Sequence, residues 1–127
     1  MTLYQSIAST TLVDNTTKIV DLTVPNGKIW KIHSIMMHNG DDVARTLEAW
    51  VADSSNNILL KIGVYNNAGA GSRIQIDGYI PGSAGGYGVR NQLLIKGGNK
   101  LRLKWAAGGT SSGGTAYYCI TYEEVPE

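Results

Sequence analysis

The side chains best suited to chemistry are few and do not converge. His33 and His38 are five residues apart in the β-like run from Lys28 to His38, and neither has a cysteine or carboxylate at ligand spacing. In extended chain that spacing puts them on opposite faces, which disfavours a shared metal or a general-base pair. Asn39, Asp41 and Asp42 offer oxygen ligands for a hard cation, but without a full calcium-loop array they read as a solvated turn. No Gly-x-Ser-x-Gly is present, and Gly69-Ala70-Gly71-Ser72 and Gly82-Ser83-Ala84-Gly85 lack the strand-to-helix setting and Lys-Ser/Thr ending of a phosphate cradle. Cys119 is the only cysteine, which excludes an intrachain disulfide and a cysteine-rich zinc site and fits maturation in a reducing compartment. The reading is therefore non-enzymatic, with no catalytic, cofactor-binding or metal-binding residue assigned.

Charge and aromatic content point to contacts instead. Eleven Lys and Arg against ten Asp and Glu leave a net charge of +1, far from the basic footprint of a nucleic-acid binder. Lys100, Arg102 and Lys104 form a one-faced basic stripe that blocks edge aggregation or meets an acidic surface, including Glu123, Glu124 and Glu127 of a neighbouring copy. Three Trp, seven Tyr and no Phe could build a sugar-stacking platform, yet without Phe these rings are needed in the core. Tyr65, Tyr79 and Tyr87, at loop edges, are the exposed candidates. Asn15-Thr16-Thr17 matches a glycosylation acceptor, a match expected by chance because Met1 to Asn15 lack the basic start and apolar run of an export signal. No apolar run approaches the roughly 18 to 20 residues that span a bilayer, so no membrane partner is expected.

The elements that must position these groups are all β. The 127 residues suit one domain: a single β-sandwich over 16–127, preceded by an arm or edge strand over 1–15. Val20, Leu22 and Val24 alternate with Asp21 and Thr23. A three-residue loop Pro25-Asn26-Gly27, with Gly27 left-handed, makes this strand a hairpin with Lys28–His38, setting Leu22 opposite Trp30, Val20 opposite Ile32 and Asp21 opposite Lys31. Eleven residues are long for one strand here, so a bend or bulge is expected near Ser34. Leu47, Ala49 and Val51 alternate with Glu48 and Trp50, and Ser54–Asn57 turns into Ile58–Val64 as a second hairpin. Arg73–Ile80 alternates next, with Ile74, Ile76 and Ile80 inward. Beyond Gly82–Gly88, Val89–Lys96 and Lys100–Ala106 form a third hairpin about Gly97-Gly98-Asn99, pairing Ile95 with Leu101 and Lys96 with Lys100. Ala116–Val125 closes the count. Eight or nine strands with no helical spacing make an all-β antiparallel β-sandwich, jelly-roll-like, with a closed barrel as the open alternative.

Val24-Pro25-x-Gly27-Lys28-x-Trp30-x-Ile32, then Leu93–Ile95 with Gly98-x-x-Leu101-Arg102, and a last strand ending Tyr122-Glu123-Glu124 resemble a group of small jelly-roll virion proteins of tailed bacteriophages, of the head decoration or cement type. That pattern often has an Asn-Arg pair after the Trp strand, where this chain has Ala44-Arg45-Thr46. The resemblance implies no catalytic residue and no cofactor. It implies a protein made in the host cytoplasm and located in the virion, binding a capsid or other virion protein as a homo-oligomer, with a trimer favoured. Leu3, Tyr4 and Ile7 on the arm, with Lys96, Lys100 and Arg102, are the expected partner contacts. The alternative is a carbohydrate-binding or receptor-binding module.

Overall fold

The computed structural model describes residues 2–77, 79–80, 91–106 and 113–127. They form β1 (Leu3–Leu12), β2 (Lys18–Thr23), β3 (Lys28–His38), β4 (Arg45–Ala52), β5 (Ile58–Ala68), β6 (Arg73–Asp77), β7 (Tyr79–Ile80), β8 (Asn91–Lys96), β9 (Lys100–Trp105) and β10 (Gly114–Pro126), with no helix among the described residues. One sheet runs β1-β10-β3-β8-β7, with β6 also on β3, and the other β2-β9-β4-β5. All pairings are antiparallel. β6 pairs with residues 34–38 of β3 and β8 with residues 29–32, so the two share one lane. The chain passes repeatedly from sheet to sheet in the jelly-roll wrap, as two separate sheets and not as a closed barrel.

Alternation decides which side chains fill the space between the sheets. Leu101, Leu103 and Trp105 of β9 are buried, as are Leu47, Ala49 and Val51 of β4 and Ala116, Tyr118 and Ile120 of β10. On β3 the buried set is Trp30, Ile32, Ile35 and Met37, a pattern that changes phase between Ile32 and Ile35. The cause is a bulge: Thr121 of β10 faces Ser34 and Tyr122 faces Ile32, which leaves His33 as the extra residue. The expected irregularity is therefore present, one residue before Ser34.

Two of the three expected hairpins are corrected. β4 and β5 do pair about the Ser54–Asn57 turn. β2 and β3, however, lie in different sheets, as do β8 and β9. Asp21 faces Arg102, not Lys31, Leu22 faces Leu101, not Trp30, and Val20 faces Leu103, not Ile32; Ile95 faces Trp30, not Leu101. A corner between sheets and a hairpin within one sheet both send the same apolar residues inward, so periodicity does not separate them. The two corners instead bond each other: Val24 N donates to Asn99 O at 2.9 Å and Gly98 N to Val24 O at 2.9 Å. Gly27 and Gly98 are left-handed, at φ 78° and 86°. A Cβ on Gly97 would come within 2.6 Å of the Pro25 carbonyl oxygen, so the corners approach closely only because that residue is glycine.

At the opposite end of the sandwich a buried polar hub replaces the solvated turn expected for Asn39 and Asp41, while Asp42 is exposed as expected. Asn39, Asp41 and Arg45 are all buried. Arg45 Nε donates to Asp41 Oδ2 at 2.7 Å, Nη1 to the carbonyls of Thr16 (2.8 Å) and Ala106 (3.2 Å), and Nη2 to Val13 O (2.8 Å). Asp41 Oδ1 accepts from Asp42 N at 2.7 Å. Asn39 Nδ2 donates to Val43 O and Ala68 O, and its Oδ1 accepts from Asp41 N. The carboxylate is thus consumed internally, which is why this cluster is not a cation loop. Gly40 packs against β10 so tightly that a Cβ would overlap the Thr115 carbonyl oxygen.

Removing one partner of a buried ion pair strands the other, at a cost of about 3–5 kcal/mol. Arg45→Ala is therefore expected to lower unfolding free energy by that order in urea titrations, whereas Lys104→Ala, which loses only a 3.9 Å surface contact to Glu48, should cost less than about 1 kcal/mol. The β4–β5 turn gives a pH prediction. Asp53 accepts from Asn57 Nδ2 and N and from Ser55 N, and these bonds, the Asn57 side chain first, hold its carboxyl below the ordinary 3.8. A lowered folded value means that the contribution is complete above the unfolded value and is lost as pH falls through the folded one. The gap in urea midpoint between the parent and Asp53→Ala should accordingly narrow only below about pH 4.

Candidate functional site

Among the described residues no three His, Cys, Asp or Glu side chains group to hold a metal ion. His33 Nε2 lies 4.0 Å from Glu123 Oε2, and the His38 ring lies 5.7 Å from that of Tyr117, itself exposed. Both histidines are on the outer face of the six-stranded sheet, not on opposite faces, because the bulge at His33 shifts the parity between them.

Two of the three indoles, Trp30 and Trp105, are core residues. Trp105 Nε1 donates to His38 O at 2.9 Å, and Trp30 Nε1 to Glu124 Oε1 at 3.0 Å. Trp30 leans on Tyr122 at 4.3 Å between centroids, and Tyr122 stacks on Tyr4 at 5.7 Å, a row that ends in solvent at Tyr4. Burial, and then the neighbouring Glu124 and Tyr4, push the Tyr122 phenol above its usual value. Tyr65 is exposed as expected, while the side chains of Tyr79 and Tyr87 lie outside the described residues.

Trp50 differs in belonging to the outer face of the four-stranded sheet. It is 8% exposed, has the Arg102 guanidinium 5.7 Å from its ring, and its Nε1 has no hydrogen-bond partner among the described residues. It lines an open depression of about 260 Å³ with Glu48, Ile58, Lys61, Val64 and Lys104. The basic stripe runs beside it and is largely answered within the chain. Asp21 reaches Arg102 at 2.7 Å and Lys100 at 3.5 Å, and Lys104 lies 3.9 Å from Glu48. Lys96 sits in the other sheet, 3.1 Å from Glu127, so it does not face Lys100.

The outer face of the six-stranded sheet is organised in rows that the registers define. Leu3, Glu123, Lys31 and Leu94 form one row, Gln5, Thr121, Ser34 and Asp77 the next, then Ile7, Cys119, Met36 and Gln75. In the two middle rows the positions on β1, β10 and β3 are apolar or neutral, and the charge there is Asp77 on β6. Leu3 and Ile7 on this face are 49% and 66% exposed, and Tyr4, pointing the other way, is 46% exposed. The structure thus gathers Leu3 and Ile7 onto one surface, and it places Lys100 and Arg102 on the opposite side of the sandwich. Met36, Cys119 and Tyr117 complete the neutral surface. Reading the parity of β3 and β10 across the bulge is the signal that finds them.

No protein-family model matches the chain, and no curated protein matches it. Solved structures align with nearly all of it at low identity. The Drosophila NLP core, described for pentamer formation and histone binding, is 12% identical with a TM-score of 0.41, covering 94% of this chain and 98% of that one. A chain of infectious bursal disease virus, Gx strain, is 8% identical with a TM-score of 0.40, over 93% of this chain and 32% of the viral one, so this chain spans about a third of it. PliG of Aeromonas hydrophila, a periplasmic inhibitor of g-type lysozyme, is 12% identical with a TM-score of 0.36, covering 97% and 86%. Similarity at this level carries no argument about role.

Proposed function

We propose that this protein is a non-enzymatic structural component of a tailed-phage virion, binding the head surface as a symmetric homo-oligomer with three-fold closure. The observation that carries the reading is the neutral middle of the outer face of the six-stranded sheet, where Gln5 and Ile7 of β1, Thr121 and Cys119 of β10 and Ser34 and Met36 of β3 lie side by side and Ile7 is exposed. A sandwich braced by the Arg45 hub presents that face without rearrangement, and symmetric repetition multiplies weak contacts into a durable attachment. The sequence resemblance to small jelly-roll virion proteins supplies the partner class and the virion location. The protein would be synthesised in the host cytoplasm and would add to heads there.

A second reading has one observation in its favour. The depression beside Trp50, with its unpartnered indole N–H and flanking Lys61, Lys104 and Glu48, has the mixed apolar and polar lining of a small sugar subsite.

Purified protein is expected to co-sediment with empty heads assembled from the capsid protein encoded beside it. Leu3→Lys combined with Ile7→Lys should reduce the bound fraction about tenfold or more. The pair Lys100→Glu and Arg102→Glu should weaken binding only at low salt, as expected of screened surface charges. Absence of co-sedimentation at any protein concentration counts against head binding. Saturable glycan binding on an array, abolished by Trp50→Ala in a protein that still unfolds cooperatively, would favour the second reading instead.

A further inference from the structure

We propose that β1 is a built pairing edge, and that its partner is β1 of a second copy, antiparallel and centred on Ile7, so that two six-stranded sheets become one. The proposal deepens the homo-oligomer reading above and rests on it. It starts from a contrast between edges. Exposed strand edges are normally blunted by bulges, charge, proline or shortness. β5, at one edge of the four-stranded sheet, exposes Ile58, Leu59, Val64 and Tyr65, but its register with β4 is broken at three places. β2, at the other edge, has only six residues, includes Lys18 and Asp21, and is followed by Pro25. β1 has none of these devices. Its ten residues keep an unbroken register with β10 from Leu3↔Glu123 to Leu12↔Gly114, and Thr2–Val13 contains no charged residue, proline or glycine.

Such a strand leaves its outward backbone N–H and C=O groups aligned for another strand, and a neutral row specifies no oppositely charged partner. A second copy fits because the sequence about Ile7 complements itself. With Ile7 opposite Ile7 of the other copy, Gln5 meets Ser9 and Leu3 meets Thr11 on the outer face, while Ser6 meets Ala8 and Tyr4 meets Thr10 on the inner. This register pairs every residue from Leu3 to Thr11 and keeps both cores on the same side of the joined sheet. A one-residue slip does not. It also covers Ile7, the most exposed large apolar side chain described, and makes one apolar row of Met36, Cys119 and Ile7 in both copies. The contact is isologous and closes on two copies, so it joins three-fold oligomers to one another and not the subunits within one.

The test uses the full chain with Cys119→Ser, because Cys119 is the register neighbour of Ile7 and would otherwise capture a new thiol within the chain. Under mild oxidation Ile7→Cys should run mostly as a disulfide-linked dimer on a non-reducing gel. Gln5→Cys and Ser9→Cys should each stay monomeric alone and cross-link when mixed, since only directly opposed side chains come within disulfide reach. Val64→Cys, on the bulged β5 edge, should not cross-link. Ile7→Lys should weaken self-association at least tenfold by sedimentation velocity while leaving the urea midpoint in place. Monomeric Ile7→Cys, or equal cross-linking at all four positions, overturns the proposal. Head co-sedimentation, measured in parallel on the parent protein, keeps the outcomes separate. Bound heads without the Ile7 cross-link sink only the self-pairing, and the cross-link without bound heads sinks only the virion role.

Discussion

The guanidinium of Arg45 is the constraint on which the rest of the molecule depends. It lies on the inward face of β4, in step with Leu47, Ala49 and Val51, where an unpaired charge would be intolerable. Its donors are used on Asp41 and on the carbonyls of Val13, Thr16 and Ala106, which belong to the β1–β2 connection and the end of β9. One side chain thus clamps three separate stretches of chain and closes one end of the sandwich. Asn39 extends the same network to Ala68 and Gly69 at the end of β5. A hydrophobic group of similar volume could fill the space but would leave those carbonyls unsatisfied.

What periodicity made legible was the class of most strands after β1 and, away from the bulge in β3, which of their residues face inward. Leu101, Leu103 and Trp105 needed nothing beyond alternation. What it left open was the sheet each strand joins, because the Pro25-Asn26-Gly27 and Gly97-Gly98-Asn99 reversals suit a hairpin as well as a corner. Deciding between them takes the mutual hydrogen bonds of the two corners, a contact between residues far apart in sequence. In the hub the ion pair is local, and what distance hid is the set of carbonyls, those of Val13, Thr16 and Ala106, that hold Arg45 inside. Asp41 and Asp42 look like a wet turn until Arg45 is seen to share parity with the core. For the surface, Leu3, Tyr4 and Ile7 were visible as apolar residues in an uncharged stretch, whereas the contribution of Met36, Cys119 and Tyr117 depends on where the bulge at His33 falls.

The two outer faces divide the labour of a binding scaffold. One is laced with charge pairs, Asp21 with Arg102 and Lys100 and Glu48 with Lys104, which keep it hydrated and poor at adhering to apolar surfaces. The other is neutral at its centre. This asymmetry gives the molecule a preferred side without any loop having to move.

The arrangement of β1 also governs how the chain reaches its fold. Among the described residues its strand neighbour is β10, and Leu3 waits for Glu123, far along the sequence. During synthesis every other strand emerges before the one that completes this pair, so the lone neutral strand spends the longest interval without a mate. Distant pairings of this kind are closed late and slowly, and segments left unmatched meanwhile are the ones at risk of mispairing. The price of so adhesive a segment is therefore met in the newborn chain, before the finished molecule has anything to hold.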